Sequence, residues 1–264
     1  MFYNKNKHLC CCVLTLVVMY IIYKYLHIKE YDVSTSSGSF LRVIQTIHDK
    51  RVIPSRINDQ WNIYFNGKRI VFNDIECIDF LKKNYGNKYV DKFNSLHSGA
   101  HKADLFRYAW LYKNGGIYCD IKTILLYPLH RIFDDTTKCY FVITDESYAQ
   151  EKRIYNGVIA TPPNNPILLD LLNSAMHITN VDEYIYNCRE GYKILSKYTQ
   201  NQNLNLGDNL SISNDIPNIH ILIEKSKPIL ECYDGADRYG ACMFIENNRG
   251  DRIFRVRDAT YPWT

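Results

Sequence analysis

The chain reads as an α/β fold, with helices alternating with short apolar strands, set behind an N-terminal apolar segment of membrane-spanning length. Three observations predict this. From Ala103 to Tyr112 the apolar residues Leu105, Tyr108, Ala109 and Leu111/Tyr112 recur at helical intervals. That run ends at Asn114, Gly115 and Gly116, a left-handed helix stop, and passes into the apolar strand Ile117 to Cys119. Beyond the first thirty residues, about 235 remain, which suits one α/β domain with a sizeable core.

Taken in order, Leu9 to Tyr23 carries no charge, and Leu9 to Leu26 is near the lower end of the roughly 17 to 25 residues that cross a bilayer. Lys24 can snorkel to the interface. A cleaved signal peptide is the rival, but Met19 to Lys24 offers no small-residue cleavage site, so an uncleaved anchor over 1–29 is expected. Residues 30–50, with Ser34-Thr35-Ser36-Ser37-Gly38-Ser39 in the middle, read as a stem, and 51–264 as the domain. A helix is predicted over Ile75 to Lys83, one over Ala103 to Lys113, a strand at Ile117 to Cys119 and an apolar run at Ile124 to Leu126. Phe141 to Thr144 reads as a strand running into Asp145 and Glu146, whose adjacent acids suit a metal or an acceptor hydroxyl and equally a solvated loop. Ile219 to Ile223 is a candidate strand containing His220. Phe244 to Arg257 reads as two strands about a turn at Asn247 to Asp251.

The chemistry-bearing residues gather around the Gly-Gly turn. Asp120 follows the strand Ile117 to Cys119, so its carboxylate is expected at the carboxyl end of a sheet, the edge where open α/β sheets bind ligands. Asp104 and Arg107 lie three apart and share a helix face. A sugar presents hydroxyls, which suit a carboxylate and a guanidinium fork, and a diphosphate needs cations. Asp104, Arg107 and Lys122 match the demands of a nucleotide-sugar donor. An isolated acid and Arg at this spacing is otherwise an ion pair on a solvated helix.

The run Lys102, Ala103, Asp104, Leu105, Arg107, Tyr108, Leu111, Tyr112, Gly115, Gly116, Ile117, Tyr118 and Asp120 resembles the core of the DXD-containing glycosyltransferases of family 32, roughly KADLxRYxxLYxxGGIYxDxD. This family includes yeast initiating α-1,6-mannosyltransferases and inositolphosphoceramide mannosyltransferases. Large clostridial glucosylating toxins resemble the same core and share the sixteen-residue spacing between the leading acids, here Asp104 and Asp120. The resemblance implies a GT-A (Rossmann-like) nucleotide-sugar-binding domain. It also implies a hexosyltransferase that takes a UDP- or GDP-sugar, with Mn²⁺ or Mg²⁺, and retains the anomeric configuration. Asp104 and Arg107 would meet sugar hydroxyls, and Asp120 the ribose and the donor or metal. Asn156, in a segment resembling the family's N-x-x-I-A run followed by proline, would face the sugar or acceptor, with Gly157 permitting close approach; Asn-Gly is otherwise a tight turn. By the same resemblance Val52 to Trp61 would be an opening strand, Trp61 a stacking face for the nucleobase and Asp74 an acid near the nucleoside. Asp74 equally fits a helix N-cap, and Trp61 core packing. Trp263 would be a late Trp closing over the donor, or a terminal packing residue.

One departure stands out: the family's second DXD acid is Lys122 here. An ammonium cannot ligate Mg²⁺ or Mn²⁺, so Lys122 either supplies phosphate charge in place of part of the metal's or marks a catalytically silent sugar-binding or interaction protein. An outward surface lysine is the third reading. The family resemblance favours a type II orientation in a secretory-pathway membrane, with a glycan or glycolipid acceptor. The formal charge of +4 is spread without a basic block, which makes nucleic acid a poor candidate as a partner. Cys10, Cys11 and Cys12 sit in the apolar run. The other six cysteines form no CxxC pair; Cys232 and Cys242 are the nearest pair for a disulfide, with buried free thiols as the alternative.

Overall fold

The structure, a computed structural model, describes residues 40, 42–53, 55–144, 151–213, 215–228, 232 and 241–256. The expected anchor, Asp145, Glu146 and Trp263 lie outside these. No helix among the described residues is long and apolar enough to cross a membrane.

The strands are β1 (Arg42–Thr46), β2 (Lys68–Phe72), β3 (Gly116–Cys119), β4 (Ile124–Leu125), β5 (Cys139–Thr144), β6 (Val158–Thr161), β7 (Asn209–Leu210), β8 (Ile219–Pro228), β9 (Ala241–Glu246) and β10 (Arg252–Arg255). The helices are α1 (Ser55–Tyr64), α2 (Asp74–Tyr85), α3 (Asn87–Ser95), α4 (Gly99–Asn114), α5 (Pro166–Ala175) and α6 (Tyr186–Thr199). One sheet runs β2-β1-β3-β6-β5-β8-β9-β10-β4, with β7 beside β8. β1 is parallel to β2 and β3, and β5 to β8, while β6 lies antiparallel between β3 and β5. Strands β1, β2, β3, β5 and β8 therefore end at one edge, where β6 begins.

Strand residues alternate between two cores, as a two-residue period requires. Ile44, Tyr118, Phe141, Ile143, Ile159, Ile219 and Ile221 face the helices α2 to α6. Val43, Ile117, Cys119, Tyr140, Val142, Val158, Ala160 and Leu222 face α1 and the antiparallel strands β4, β9 and β10. Because both faces are covered, β3, β5 and β6 are buried along their whole length and read as unbroken apolar runs.

Three expectations are corrected. Arg42–Thr46, inside the presumed stem, is β1, paired on both sides. Val52 to Trp61 is not a strand: Lys50–Val52 is a 3-10 turn and Ser55–Tyr64 is α1. The reason is visible in the spacing, since Ile57, Trp61 and Tyr64 recur at four and three residues and place one apolar stripe on a helix. Asp74 is not the cap of α2. Asn73 is, accepting from the Glu76 backbone at 3.0 Å, while the Glu76 side chain accepts from the Asn73 backbone at 2.8 Å. Such a reciprocal pair satisfies two otherwise unpaired donors and is worth about 1 kcal/mol. The predicted hairpin is β9 and β10 about Asn247 to Asp251. Cys232 and Cys242 form a disulfide, whereas Cys77, Cys119 and Cys139 are buried free thiols.

Candidate functional site

Helix α4 stops where the sequence predicts. Gly115 and Gly116 carry φ of 62° and 108°, conformations that strain any residue with a Cβ. At Gly115 a Cβ would also lie 2.7 Å from the Pro163 nitrogen and 2.9 Å from the Thr161 carbonyl oxygen. The tight reversal sends the chain straight into β3, which delivers Asp120 to the carboxyl edge of the sheet. The Asp120 backbone is held there from both sides, donating to the Gly157 carbonyl at 2.8 Å and accepting from the Gln45 side chain at 3.2 Å.

Arg107 is the hub. It is buried, with Nε 3.4 Å from Asp104 Oδ1 and Nη2 3.3 Å from Asp120 Oδ1. Its Nη1 donates to the Asn156 carbonyl oxygen, and its plane lies over the Tyr118 ring with Cζ 4.1 Å from the centroid. Asp120 also accepts from the Tyr118 hydroxyl at 3.2 Å and the Tyr155 hydroxyl at 3.4 Å. Lys122 turns inward rather than to solvent, its Nζ 3.8 Å from Asp120 Oδ2.

The two acids are pushed in opposite directions. Burial dominates at Asp104 and raises its pKa above the ordinary carboxylate value, against the opposing pull of Arg107 and the Asn187 amide. At Asp120 burial is the largest single influence, but Arg107, Lys122 and the two tyrosine hydroxyls together overcome it and hold the carboxyl below its ordinary value. Arg107 between two carboxylates is held charged, and burial keeps Tyr118 and Tyr155 protonated as donors.

These residues do not fit a divalent metal. Asp120 already meets two hydroxyl donors and two cations, Lys122 stands where a second acid would be needed, and no group of three His, Cys, Asp or Glu among the described residues is arranged to hold an ion.

Four of the sequence-predicted residues, Asp104, Arg107, Asp120 and Lys122, therefore meet. Asn156 joins them through its backbone, while its side-chain amide donates to Cys188 Sγ at 3.5 Å. Asp74 stands apart at the start of α2, accepting from Lys102 Nζ at 3.4 Å and paired with His48 Nδ1 at 3.2 Å, near the end of β1. Trp61 is in the core, only 1% exposed, with its indole N–H donating to the Thr123 carbonyl at 3.2 Å and Arg69 over its ring. It offers no open face to a base, because α1 turns its apolar stripe toward the sheet. His220 lies away from the cluster, paired with the Asn209 side chain at 2.8 Å.

Asn187 was not legible as a site residue. It lies in the first turn of α6, 83 residues from Asp104, and donates from Nδ2 to Asp104 Oδ2 at 2.9 Å. Its Oδ1 is buried without a hydrogen-bond partner among the described residues. Buried polar groups are nearly always satisfied, so this oxygen is a candidate acceptor for a ligand hydroxyl. Tyr155, by contrast, had a signal: it lies one residue before the Asn-Gly pair.

Residues 55–140 match the family model described as a glycosyltransferase sugar-binding region containing a DXD motif. The match spans Asp104 to Lys122 and ends before Asn156 and Asn187. An uncharacterized glycosyltransferase of Acanthamoeba polyphaga mimivirus is 29% identical over 132 residues, which cover 48% of this chain and 51% of that protein. The chain thus spans about half the length of this curated relative. Among solved structures, PaToxG glycosyltransferase is similar with a TM-score of 0.40 and 15% identity, over 61% of this chain and 70% of that one. The matched region and the viral relative together support a likeness to glycosyltransferases in the broad sense.

Proposed function

We propose that the chain is a hexosyltransferase that moves a sugar of the mannose, galactose or glucose class from a UDP- or GDP-sugar to a glycan or glycolipid hydroxyl, with retention. The observation that carries this reading is the buried Arg107 clamped between Asp104 and Asp120 at the carboxyl edge of the sheet, with Lys122 turned onto the same carboxylate. Asp104 and Asn187 present acceptors to sugar hydroxyls. Asp120 binds the donor's ribose and sugar side, and Lys122 faces the diphosphate. In transfer, the acceptor oxygen bonds to the anomeric carbon, the bond from that carbon to the diphosphate breaks, and the acceptor proton leaves with the diphosphate. Negative charge grows on the leaving group, so a fixed ammonium contributes more in the transition state than in the ground state. The apolar segment Leu9 to Leu26 supports a membrane anchor, and its type II orientation in a secretory-pathway membrane rests on the family resemblance.

The second reading, a silent sugar-binding protein, is favoured by the same Lys122–Asp120 pair, which takes up a carboxylate that the family uses for metal. A panel of UDP- and GDP-sugars, assayed for nucleotide release with and without EDTA, separates the two. Release from one donor, increased by a saccharide acceptor, supports the enzyme; donor binding with no release from any donor sinks it.

A further inference from the structure

The turn that carries Lys122 is gripped from beneath by residues outside the donor cluster. Asp120 to Thr123 close on themselves, the Thr123 amide donating to the Asp120 carbonyl at 2.9 Å. That carbonyl accepts a second bond, from Gln45 Nε2 at 3.2 Å. The far end of the turn is held by α1, where the Trp61 indole donates to the Thr123 carbonyl at 3.2 Å. Behind Gln45 stands Arg69 of β2. Its Nε donates to Gln45 Oε1 at 2.5 Å, its Nη1 donates to Asn58 Oδ1 at 2.7 Å, and its Cζ lies 5.5 Å from the Trp61 ring centroid. Asn58 and Trp61 are three apart on α1 and share a face. The contacts therefore run in a closed circuit, from the turn through Gln45, Arg69 and α1 back to the turn.

A primary amide has one accepting and one donating end of nearly equal shape, so packing alone does not say which way it faces. Gln45 is fully buried, and neither end can turn to water. Arg69 can only donate and the Asp120 carbonyl can only accept, so one orientation pairs both ends of the amide. Reversed, the amide would set oxygen against oxygen at Asp120 and nitrogen against nitrogen at Arg69, leaving two buried groups unpaired at once. We infer that Arg69 is a positioning residue for transfer. By fixing the Gln45 amide it fixes the Asp120 to Thr123 turn, and with it the place from which Lys122 meets the diphosphate. The effect on rate rests on the transferase reading; the hold on the turn does not.

Three variants of the full chain test it. Arg69→Met keeps the aliphatic stem and removes the donor, and Arg69→Lys returns one. Gln45→Glu keeps and strengthens the partner of Arg69, but an ionised carboxylate has no N–H for the Asp120 carbonyl. Amide hydrogen exchange followed by NMR should show Thr123 exchanging about 10-fold faster in Arg69→Met and Gln45→Glu, with the β5 amides unchanged and Arg69→Lys close to native. With the UDP- or GDP-sugar that the native chain turns over, kcat should fall roughly 10- to 100-fold in the same two variants while KM stays within about 3-fold. Arg69 is only half-buried, so its two variants decide the matter even where Gln45→Glu does not fold. Faster exchange spread equally over β5 would make Arg69 a stabiliser of the whole fold and overturn the proposal. Native exchange at Thr123 in Arg69→Met, native behaviour of Gln45→Glu, or an Arg69→Lys no better than Arg69→Met overturns it too. Native kcat in Arg69→Met with Thr123 exchanging fast removes the role in transfer and keeps the transferase reading. A chain that shows the exchange pattern but releases nucleotide from no donor leaves the hold on the turn standing and removes the transferase reading.

Discussion

Asp104 and Asp120 flank the same guanidinium, yet their surroundings drive their acidities apart, and this has a signature in stability. Asp104 is raised by burial, so its contribution to folding is complete below the ordinary carboxylate value and is lost as pH rises through its raised folded value. Asp120 is depressed; its contribution is present above the ordinary value and is lost as pH falls through the depressed one. The two act on opposite sides of about pH 4. Asp104→Asn keeps an oxygen for the Asn187 amide and removes the titration. The denaturation midpoint of this variant should fall less than the native chain's as pH is raised above about 4, and an unchanged slope would refute the assignment. Lys122 makes a second prediction. If its ammonium carries phosphate charge, Lys122→Ala should lower nucleotide release roughly 10²- to 10³-fold, and by much more than EDTA does. Strong EDTA inhibition beside an active Lys122→Ala would reverse the roles.

At the scale of elements, the site depends on two glycine positions that do different things. Gly115 supplies a left-handed stop and makes room for Pro163, so the α4–β3 reversal has almost no slack. Gly157 has an ordinary backbone, but a Cβ there would lie 2.1 Å from the Tyr155 ring and its hydroxyl. Gly157→Ala should therefore displace Tyr155 from Asp120, destabilise by about 1–3 kcal/mol and weaken donor binding. The cause is checked by a double-mutant cycle: Tyr155→Ala/Gly157→Ala should cost less than the two single changes summed, because removing the ring removes the clash. Additive costs would mean that Gly157 acts elsewhere. The Asn-Gly pair was legible in the sequence as a close approach or a turn. What approaches is the neighbouring Tyr155, two residues back, held between the sheet edge and Asp120.

Over the whole molecule, one strand decides where the domain starts. β1 lies between β2 and β3, buries Val43 and Ile44 on opposite faces and lends Gln45 to the Asp120 backbone. A chain beginning at residue 51 should lack a cooperative thermal transition by circular dichroism, whereas one beginning at Gly38 should keep it, since only the former leaves β2 and β3 without their shared partner. Cooperative unfolding of the shorter chain would return Arg42–Thr46 to the stem. The strand was missed because five residues flanked by polar positions resemble a linker, while α1, with Ile57 and Trp61, sits where an opening strand was expected.

By itself the sequence determined the α4–β3 reversal, its double-glycine stop and the placement of Asp104, Arg107 and Asp120 around it. These rest on helical period, on residues that tolerate positive φ, and on a fixed spacing within one continuous segment. Only the tertiary structure decided that Lys122 turns onto Asp120, that Asn187 reaches Asp104 across 83 residues, and that Trp61 faces the core. Those outcomes depend on which strands pair and which helix face meets the sheet. Such contacts are set by burial across the whole fold, and short-range pattern does not encode them.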